Sequence, residues 1–491
     1  MKIVILSYLE EQITDNDLIF KERFIPKTLS AKYSNVTNSI IFSIPKSYEG
    51  ALKNYQNAEV RTGNDDVMFW KNIFNTTKAD HIIKILTDTP FADADIIKEM
   101  LTLHTESFAE FTYSENLPQG FACEIVSSEL VSMLPDTEEE TLSLSKTVKS
   151  NINQFDVELF YKDPDIRNKR ISFRSSVLRD KLAMEKIYDI NINPTYTETA
   201  EIIQSNPKIS FISPSYIEIE LTGNCTSQCI FCYRDKLAQK RGHMNPDLYK
   251  KLLNDMNQFN LPYTVCLGGA GEPLLHENIN DLLEFTIDQT QVERIIIETN
   301  GVHIDNKLIE LMDSSQGNKI SVIVNINGYN NETYFKIHGQ NEFDKALFNI
   351  ERLAKFNETA KRVYLQIMKI NETEEYLDAF YDFWEEKKFP IILQKQNTYL
   401  GLIEDRRYSD LTPVDRTPCW HLSRDIFVLS DGKVPFCKQD VNCECQTGDA
   451  NEESLQDIFS KMYPLFEQNF KCNYSKKPNC TDCDEWYTFN F

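Results

Sequence analysis

Between residues 216 and 397 the spacing of apolar positions switches repeatedly between two periods. Residues 216–222 (YIEIELT) alternate as a strand does. The loop GNCTSQCIFCYR follows, and then NPDLYKKLLNDMNQF (245–259), a helical pattern with Pro246 in its first turn. VCLGG, RIIIETNG, KISVIVNING, RVYLQIMKI and PIILQKQ read as further strands. NINDLLEFTI, NKLIELMDS, FDKALFNIERLAKF and ETEEYLDAFYDFWEEK read as the helices between them. Strands alternating with helices predict parallel βα units, whose ligands sit at the carboxyl ends of the strands. The cysteine-bearing loop follows the first strand at that edge. Residues 1–205 alternate too, through KIVILSY, SIIFSIP, HIIKILTD, EFTYSEN and ACEIVSSELVSML. The polar, proline-containing QSNPKISFISPS (204–215) separates the two runs.

Composition narrows the class. At about 150 residues per domain, 491 residues suggest three domains. With 41% hydrophobic and 26% charged residues each can bury a core, which excludes a wholly disordered chain. Lys+Arg 52 against Asp+Glu 75 gives a net charge of −23, which argues against a nucleic-acid partner. The opening MKIVILSYLEEQ is too short an apolar run for a secretory signal, and no stretch reaches the roughly 20 apolar residues of a membrane span. The expectation is a cytoplasmic protein without a membrane partner. Twelve cysteines in a reducing compartment then point to metal ligation or catalysis instead of disulfides. They divide the chain into zones 1–205, 206–410 and 411–491: Cys123 alone, then Cys225, Cys229, Cys232 and Cys266, then seven near the end.

Cys225-x3-Cys229-x2-Cys232 places three thiolates on one loop, enough to hold three irons of a 4Fe–4S cluster and leave the fourth open to a small molecule. Zinc is the alternative, but it takes four ligands and this loop offers no fourth Cys or His. Over roughly 210–400 the chain resembles the radical S-adenosylmethionine enzymes. GGAGEPLLH (268–276) resembles that family's glycine motif, IIIETNG (295–301) its third-strand segment, and IVNINGYN (323–330) a strand that usually carries Ser and Asp where Asn325 and Asn327 stand. The resemblance implies a partial (βα)6 barrel, Cys225, Cys229 and Cys232 as catalytic cluster ligands, and S-adenosyl-L-methionine bound by Phe231, Gly268, Gly269, Glu272, Thr299, Asn300, Asn325 and Asn327. It also implies reductive cleavage to a 5′-deoxyadenosyl radical that abstracts hydrogen from a substrate, with flavodoxin or ferredoxin as the electron donor. Gln366, Met368 and Gln394 at strand ends are candidates to face the substrate.

The last zone reads Cys419-x12-Gly432-x4-Cys437, a gap, then Cys480-x2-Cys483. This resembles the SPASM or shorter twitch extension of radical enzymes, and implies a second, auxiliary 4Fe–4S cluster on Cys419, Cys437, Cys480 and Cys483. Their separations resemble those of twitch-type aminocyclitol dehydrogenases. Four protein ligands leave no open iron, so this cluster would pass electrons, which suits a dehydrogenase. A four-Cys zinc site has the same ligands. Cys443, Cys445 and Cys472 are left over, and Cys123 and Cys266 read as small buried residues.

The run 59–134 resembles sugar-nucleotide cytidylyltransferases of the nucleotide-diphospho-sugar transferase fold. That resemblance implies a divalent metal on Asp88 of LTDTP and a substrate-side segment ending in Glu124. The family's Gly- and Arg-rich triphosphate loop is replaced by SYLEEQITDNDLIFKERFIPK, acidic and without glycine, with Lys27 as a remnant. The domain is therefore expected to be inactive or to take another sugar ligand. The whole arrangement, an α/β transferase-like domain, a radical barrel and a small Cys-rich extension, resembles the spiro-SPASM proteins. The expected substrate is a small molecule: a sugar, an aminocyclitol or a nucleotide sugar. The alternatives are a peptide-modifying maturase and a non-catalytic metal-binding module.

Overall fold

The computed structural model describes residues 1–61, 63–135 and 142–488; Thr62, inside the segment EVRTGNDDV, lies outside them. The chain forms two compact units, Met1–Ile212 and Ser213–Phe491.

The first unit is built on a seven-stranded sheet. Ile3–Tyr8 lies between the parallel strands Ile40–Pro45 and His81–Leu86, with Tyr8 opposite Leu86. Ala58–Arg61 extends one side. On the other, Glu124–Ser127 runs antiparallel to His81–Leu86, followed by Phe111–Ser114 and Val157–Phe160. Ala58–Arg61 and Val157–Phe160 escape the sequence pattern because each is four residues long at a sheet edge with one buried side chain, too little for an alternation to show. ACEIVSSELVSML divides at Ser127, whose side chain accepts from Leu130 N and so starts the helix Ser128–Met133. Cys123 is buried against Met100, as its isolation suggested.

In the second unit the six anticipated strands pair in sequence order, all parallel: Tyr216–Glu220, Tyr263–Gly268, Val292–Thr299, Ile320–Asn325, Val363–Lys369 and Ile391–Lys395. Runs such as Ile295–Ile297 and Val322–Val324 are apolar at every position because both faces of the sheet are covered. Between strands, Asn245 and Asp305 start helices Pro246–Asn257 and Asn306–Asp313 by accepting backbone N–H bonds. Tyr216, Cys266, Ile296 and Ile323, with Tyr364 and Ile392 against them, form an apolar floor at one end of the strand faces. A further helix, Asn331–His338, was not anticipated; Asn330 caps it and Gly339 (φ 68°) ends it.

The last zone is not a separate body. Asp425–Val428 adds a seventh strand, parallel to Tyr216–Glu220, and the antiparallel pair Lys433–Pro435 and Gln446–Asp449 and the helix Leu455–Phe470 follow. Its attachment centres on Glu220, whose side chain is fully buried. Glu220 ion-pairs with Arg241 (2.5 and 2.8 Å) and accepts from Ser430 Oγ (3.1 Å) and Ala270 N (3.0 Å), while Arg241 also donates to the Val441 carbonyl (3.0 Å). No helix among the described residues is long and apolar enough to cross a membrane. Glu220→Ala strands a buried guanidinium and is expected to cost about 3–5 kcal/mol in denaturant unfolding; a loss under about 1 kcal/mol would show that the pair is not what holds the extension to the barrel.

Candidate functional site

A chamber of about 410 Å³ lies above the apolar floor, at the carboxyl ends of the barrel strands. Cys225, Cys229 and Cys232 line it as free, partly buried thiols on the loop after the first strand. That loop carries no regular structure and is held from outside. Gln228 N and Ile230 N donate to the carbonyls of His338 and Ile337 (both 3.0 Å), and Arg234 donates to Ser227 O (2.7 Å). The short helix missed by the pattern is thus the buttress of the thiol loop, and His338 Nδ1 lies 3.2 Å from Cys229 Sγ. Burial and the neighbouring thiols push the Cys229 thiol up, and burial pushes up Cys232.

The glycine segment is shaped by close approach. Gly269 has φ +91°, and a Cβ there would stand 2.8 Å from Glu220 Cβ; one on Gly271 would stand 2.1 Å from the Thr222 carbonyl. Glu272 is 3% exposed and accepts from Thr299 Oγ1 (2.7 Å), Asn300 N (2.8 Å) and Leu274 N (3.2 Å), which ties the glycine segment to the end of the third strand. Burial, opposed by those bonds, brings its carboxyl to about 7. Phe231, Gly268, Gly269, Glu272, Thr299, Asn300 and Asn325 all line the chamber, as do Gln366, Met368 and Gln394.

Asn327 departs from the expectation. It does not line the chamber and is 1% exposed with φ 47°. Its side chain accepts from Met368 N (2.7 Å) and its carbonyl from Tyr376 Oη (2.8 Å). Those bonds fasten one strand end to its neighbours.

A second, smaller chamber of about 50 Å³ is lined by Cys419, Cys437, Cys480 and Cys483; Cys443, Cys445 and Cys472 do not line it. Trp486, Phe436 and Leu422 give it apolar walls, and Asn469 Oδ1 fixes Cys419 N (2.7 Å). Burial raises all four thiols, Cys483 to about 11. In both chambers the thiols are set around a space. Among the described residues no group of three or more His, Cys, Asp or Glu closes on one ion. Tyr216, Glu218, Phe427, Lys438 and Glu485 line both chambers and form the wall between them. Sequence reading passed over Glu218 and Glu298. The signal was present as carboxylates within strands.

In the first unit Asp88 follows the strand His81–Leu86 and is 2% exposed, yet it faces a cation of the protein itself. Arg174 Nε lies 3.0 and 3.2 Å from its two oxygens and Ser176 Oγ donates at 2.5 Å; Arg174 also reaches Glu10 (2.6 Å). Arg174 is thus the cation that faces the carboxylate expected to hold a divalent metal, and it is shared with Glu10. The acidic segment in place of the phosphate loop forms a turn at Asp15–Leu18 and a two-stranded hairpin, Ile19–Phe20 with Arg23–Phe24, while Lys27 is exposed. Glu124 accepts from Ser145 Oγ (2.6 Å) with Lys84 at 3.8 Å. Asp88→Ala is expected to leave Mn²⁺ binding unchanged in an EPR titration while lowering the melting temperature, since Arg174 loses its partner; a Mn²⁺ signal that vanishes with Asp88 would restore the metal role.

Comparison with known proteins agrees with this layout. Residues 219–383 match the Radical SAM superfamily and residues 419–484 the SPASM iron-sulfur cluster-binding domain. These domains imply S-adenosylmethionine, a 4Fe–4S cluster and an auxiliary cluster as cofactors, and the two thiol sets fit them. An uncharacterized protein of Treponema pallidum (strain Nichols) is 27% identical over 370 residues, 72% of this chain and 99% of that one. The S-adenosyl-L-methionine-dependent 2-deoxy-scyllo-inosamine dehydrogenase of Niallia circulans is 29% identical over 99 residues, 20% of this chain and 40% of that one. Among solved structures, BtrN in complex with AdoMet and 2-DOIA is 19% identical with a TM-score of 0.38, covering 55% of this chain and 93% of its own. A cytidylyltransferase from Leptospira borgpetersenii is 17% identical with a TM-score of 0.37, covering 43% of this chain and 96% of its own.

Proposed function

We propose that this radical SAM enzyme abstracts hydrogen from a sugar-like small molecule bound in the first chamber and oxidises it. The observation that carries the reading is the shared wall: a molecule resting against Glu218, Lys438 and Phe427 lies beside both thiol sets. Cys225, Cys229 and Cys232 would hold a cluster with an open iron, and Cys419, Cys437, Cys480 and Cys483 a closed one. Loaded in this way, the two groups supply a hydrogen-abstracting radical from S-adenosylmethionine and a one-electron acceptor.

The chain's own residues do the positioning. Gly268 and Gly269 let backbone approach the cofactor's amino group, and Glu272 places negative charge beside it while bracing Thr299 and Asn300. The chamber is rich in carboxamides: Asn325, Gln366, Gln394, Gln396 and Asn397 line it, and Gln366 donates to Asn325. Carboxamides both donate and accept, which suits the hydroxyls of a polyol or the ribose of the cofactor. The apolar floor seals the far end against water. The first unit is a transferase-like domain without nucleotidyl transfer, consistent with Asp88 held by Arg174. A flavodoxin or ferredoxin is the proposed electron donor.

Anaerobically reconstituted protein is expected to hold about eight irons per chain from two cubane clusters and to release 5′-deoxyadenosine faster with candidate sugars than with candidate peptides. Peptide stimulation alone would overturn the substrate class, and zinc in place of iron would overturn the chemistry. Cys225→Ala is expected to abolish 5′-deoxyadenosine release and keep about four irons; release that survives would remove this loop from catalysis. Because the Glu272 carboxyl sits at about 7, its charge appears as pH rises through that value. S-adenosylmethionine affinity should therefore increase from pH 6 to pH 8, and Glu272→Gln should flatten the profile. A variant with an unchanged profile would exclude Glu272 as the source.

A further inference from the structure

The second thiol set has an outer side. The eleven residues from Lys471 to Thr481, which lead into and just past Cys480, carry three lysines and no carboxylate, in a chain of net charge −23. Lys471 pairs with Glu467 of the preceding helix (2.8 Å). Lys476 and Lys477 are exposed, and neither makes an ion pair among the described residues. A second segment lies against this one. Arg416 donates to the Thr481 carbonyl (2.9 Å), its guanidinium stands 4.0 Å over the Tyr474 ring, and it also lines the second chamber. Thr481 N in turn donates to the Ser475 carbonyl (3.1 Å). The segment that Arg416 anchors presents Leu411 and Val414 to solvent, 73% and 99% exposed. Bare aliphatic side chains beside unpaired lysines form an apolar centre with a charged rim, which is how interaction patches are built.

The outer side of the first thiol set is cationic too, but its charges are engaged. Residues 223–243 hold Arg234, Lys236, Lys240 and Arg241. Arg234 donates to the Ser227 carbonyl and pairs with Asp235 (4.0 Å), and Arg241 is taken up by the buried Glu220. The aliphatic side chain on that loop, Ile230, is 37% exposed. The patch outside the second set therefore offers the more open surface. It also lies where a charge carrier is needed. With four protein ligands the second cluster binds no small molecule, so its part is to pass electrons. An electron that reaches it leaves either for the first cluster or for a carrier outside the chain.

Resting on the two-cluster function proposed above, we propose that Lys476 and Lys477, with Leu411 and Val414, form the docking surface for an acidic one-electron carrier protein of the flavodoxin or ferredoxin class, which exchanges electrons with the second cluster. The exchange moves one electron and no atoms: the carrier is oxidised as the cluster is reduced, or the reverse. Charge complementarity selects the occupant. An acidic carrier is repelled by most of a chain with this net charge and is drawn to the lysines, so the patch sets where it lands. Leu411 and Val414 then hold it by excluding water from the contact.

The test is equilibrium binding of an acidic flavodoxin and an acidic 2Fe–2S ferredoxin to the anaerobically reconstituted full chain, with iron content confirming that each variant is assembled. At least one carrier is expected to bind, more weakly as salt rises from about 50 to about 300 mM. Lys476→Glu combined with Lys477→Glu should raise its Kd about tenfold or more, whereas Lys236→Glu combined with Lys240→Glu should change it less than about twofold. Should charge reversal upset the fold, Lys476→Gln with Lys477→Gln should still weaken binding. Leu411→Ser with Val414→Ser should weaken it and leave the salt dependence in place. A second readout isolates the electron step. Cys225→Ala protein, reduced with dithionite, desalted and mixed with oxidised flavodoxin in a stopped-flow cell, should form the flavin semiquinone, and the lysine reversals should slow that step about tenfold. No binding by either carrier, or binding that responds to Lys236 and Lys240 but not to Lys476 and Lys477, overturns the proposal. So does a wild-type dimer that Leu411→Ser with Val414→Ser dissociates, because the patch then serves a second copy of the chain. Dithionite-driven release of 5′-deoxyadenosine by the wild-type chain separates the two levels of inference. No release refutes the proposed function, whereas release together with carrier binding that ignores Lys476 and Lys477 refutes only the docking surface.

Discussion

Glu220 is the point on which the second unit's geometry depends. A fully buried carboxylate at the end of the first barrel strand must be matched by a cation and by donors. Its partners come from three places: Arg241 beyond the thiol loop, Ala270 N in the glycine segment and Ser430 in the last zone. Satisfying one charge therefore fixes three segments at once. It sets where the thiol loop ends, how closely the glycine backbone approaches the strand, and how the Asp425–Val428 strand lies along the barrel.

The two chambers follow from that attachment. Because the last zone adds a strand directly beside the first barrel strand, its cysteine residues come to face the other side of a wall that the barrel already supplies. Glu218 projects into that wall two residues before Glu220, and Lys438 enters it one residue after Cys437. The wall is thus polar and charged within an otherwise apolar interior, and it is the part of the molecule where the electrostatic balance is set by what binds. The first unit shows a different case: there one guanidinium, Arg174, is shared by Asp88 and Glu10.

Much of this was legible along the chain. Six strands and their helices were readable because the strands carry short apolar runs such as Ile295–Ile297 or an alternation such as YIEIELT, and the helices carry a single apolar stripe, as in FDKALFNIERLAKF. The first thiol set was readable because spacing on one loop is a local property; the second, spread from Cys419 to Cys483, was legible only through its resemblance to a family, and both sets line chambers. The place of Asn327 away from the chamber wall was not legible because the spacing that puts Asn325 there does not register a backbone turned to φ 47°. The ion pair of Asp88 was not legible because its partner, Arg174, stands 86 residues away.

The sequence by itself determined the parallel barrel and the clustered thiols of Cys225, Cys229 and Cys232, which rest on periodicity and short-range spacing, while the glycine segment and the grouping of Cys419, Cys437, Cys480 and Cys483 came from resemblance to a family. Tertiary structure alone decided the seventh strand, the buttress from His338 and the wall shared by the two chambers. Those depend on which distant side chains meet in a low-dielectric interior, where a single missing or added partner changes the sign of an interaction, and no local pattern encodes that meeting.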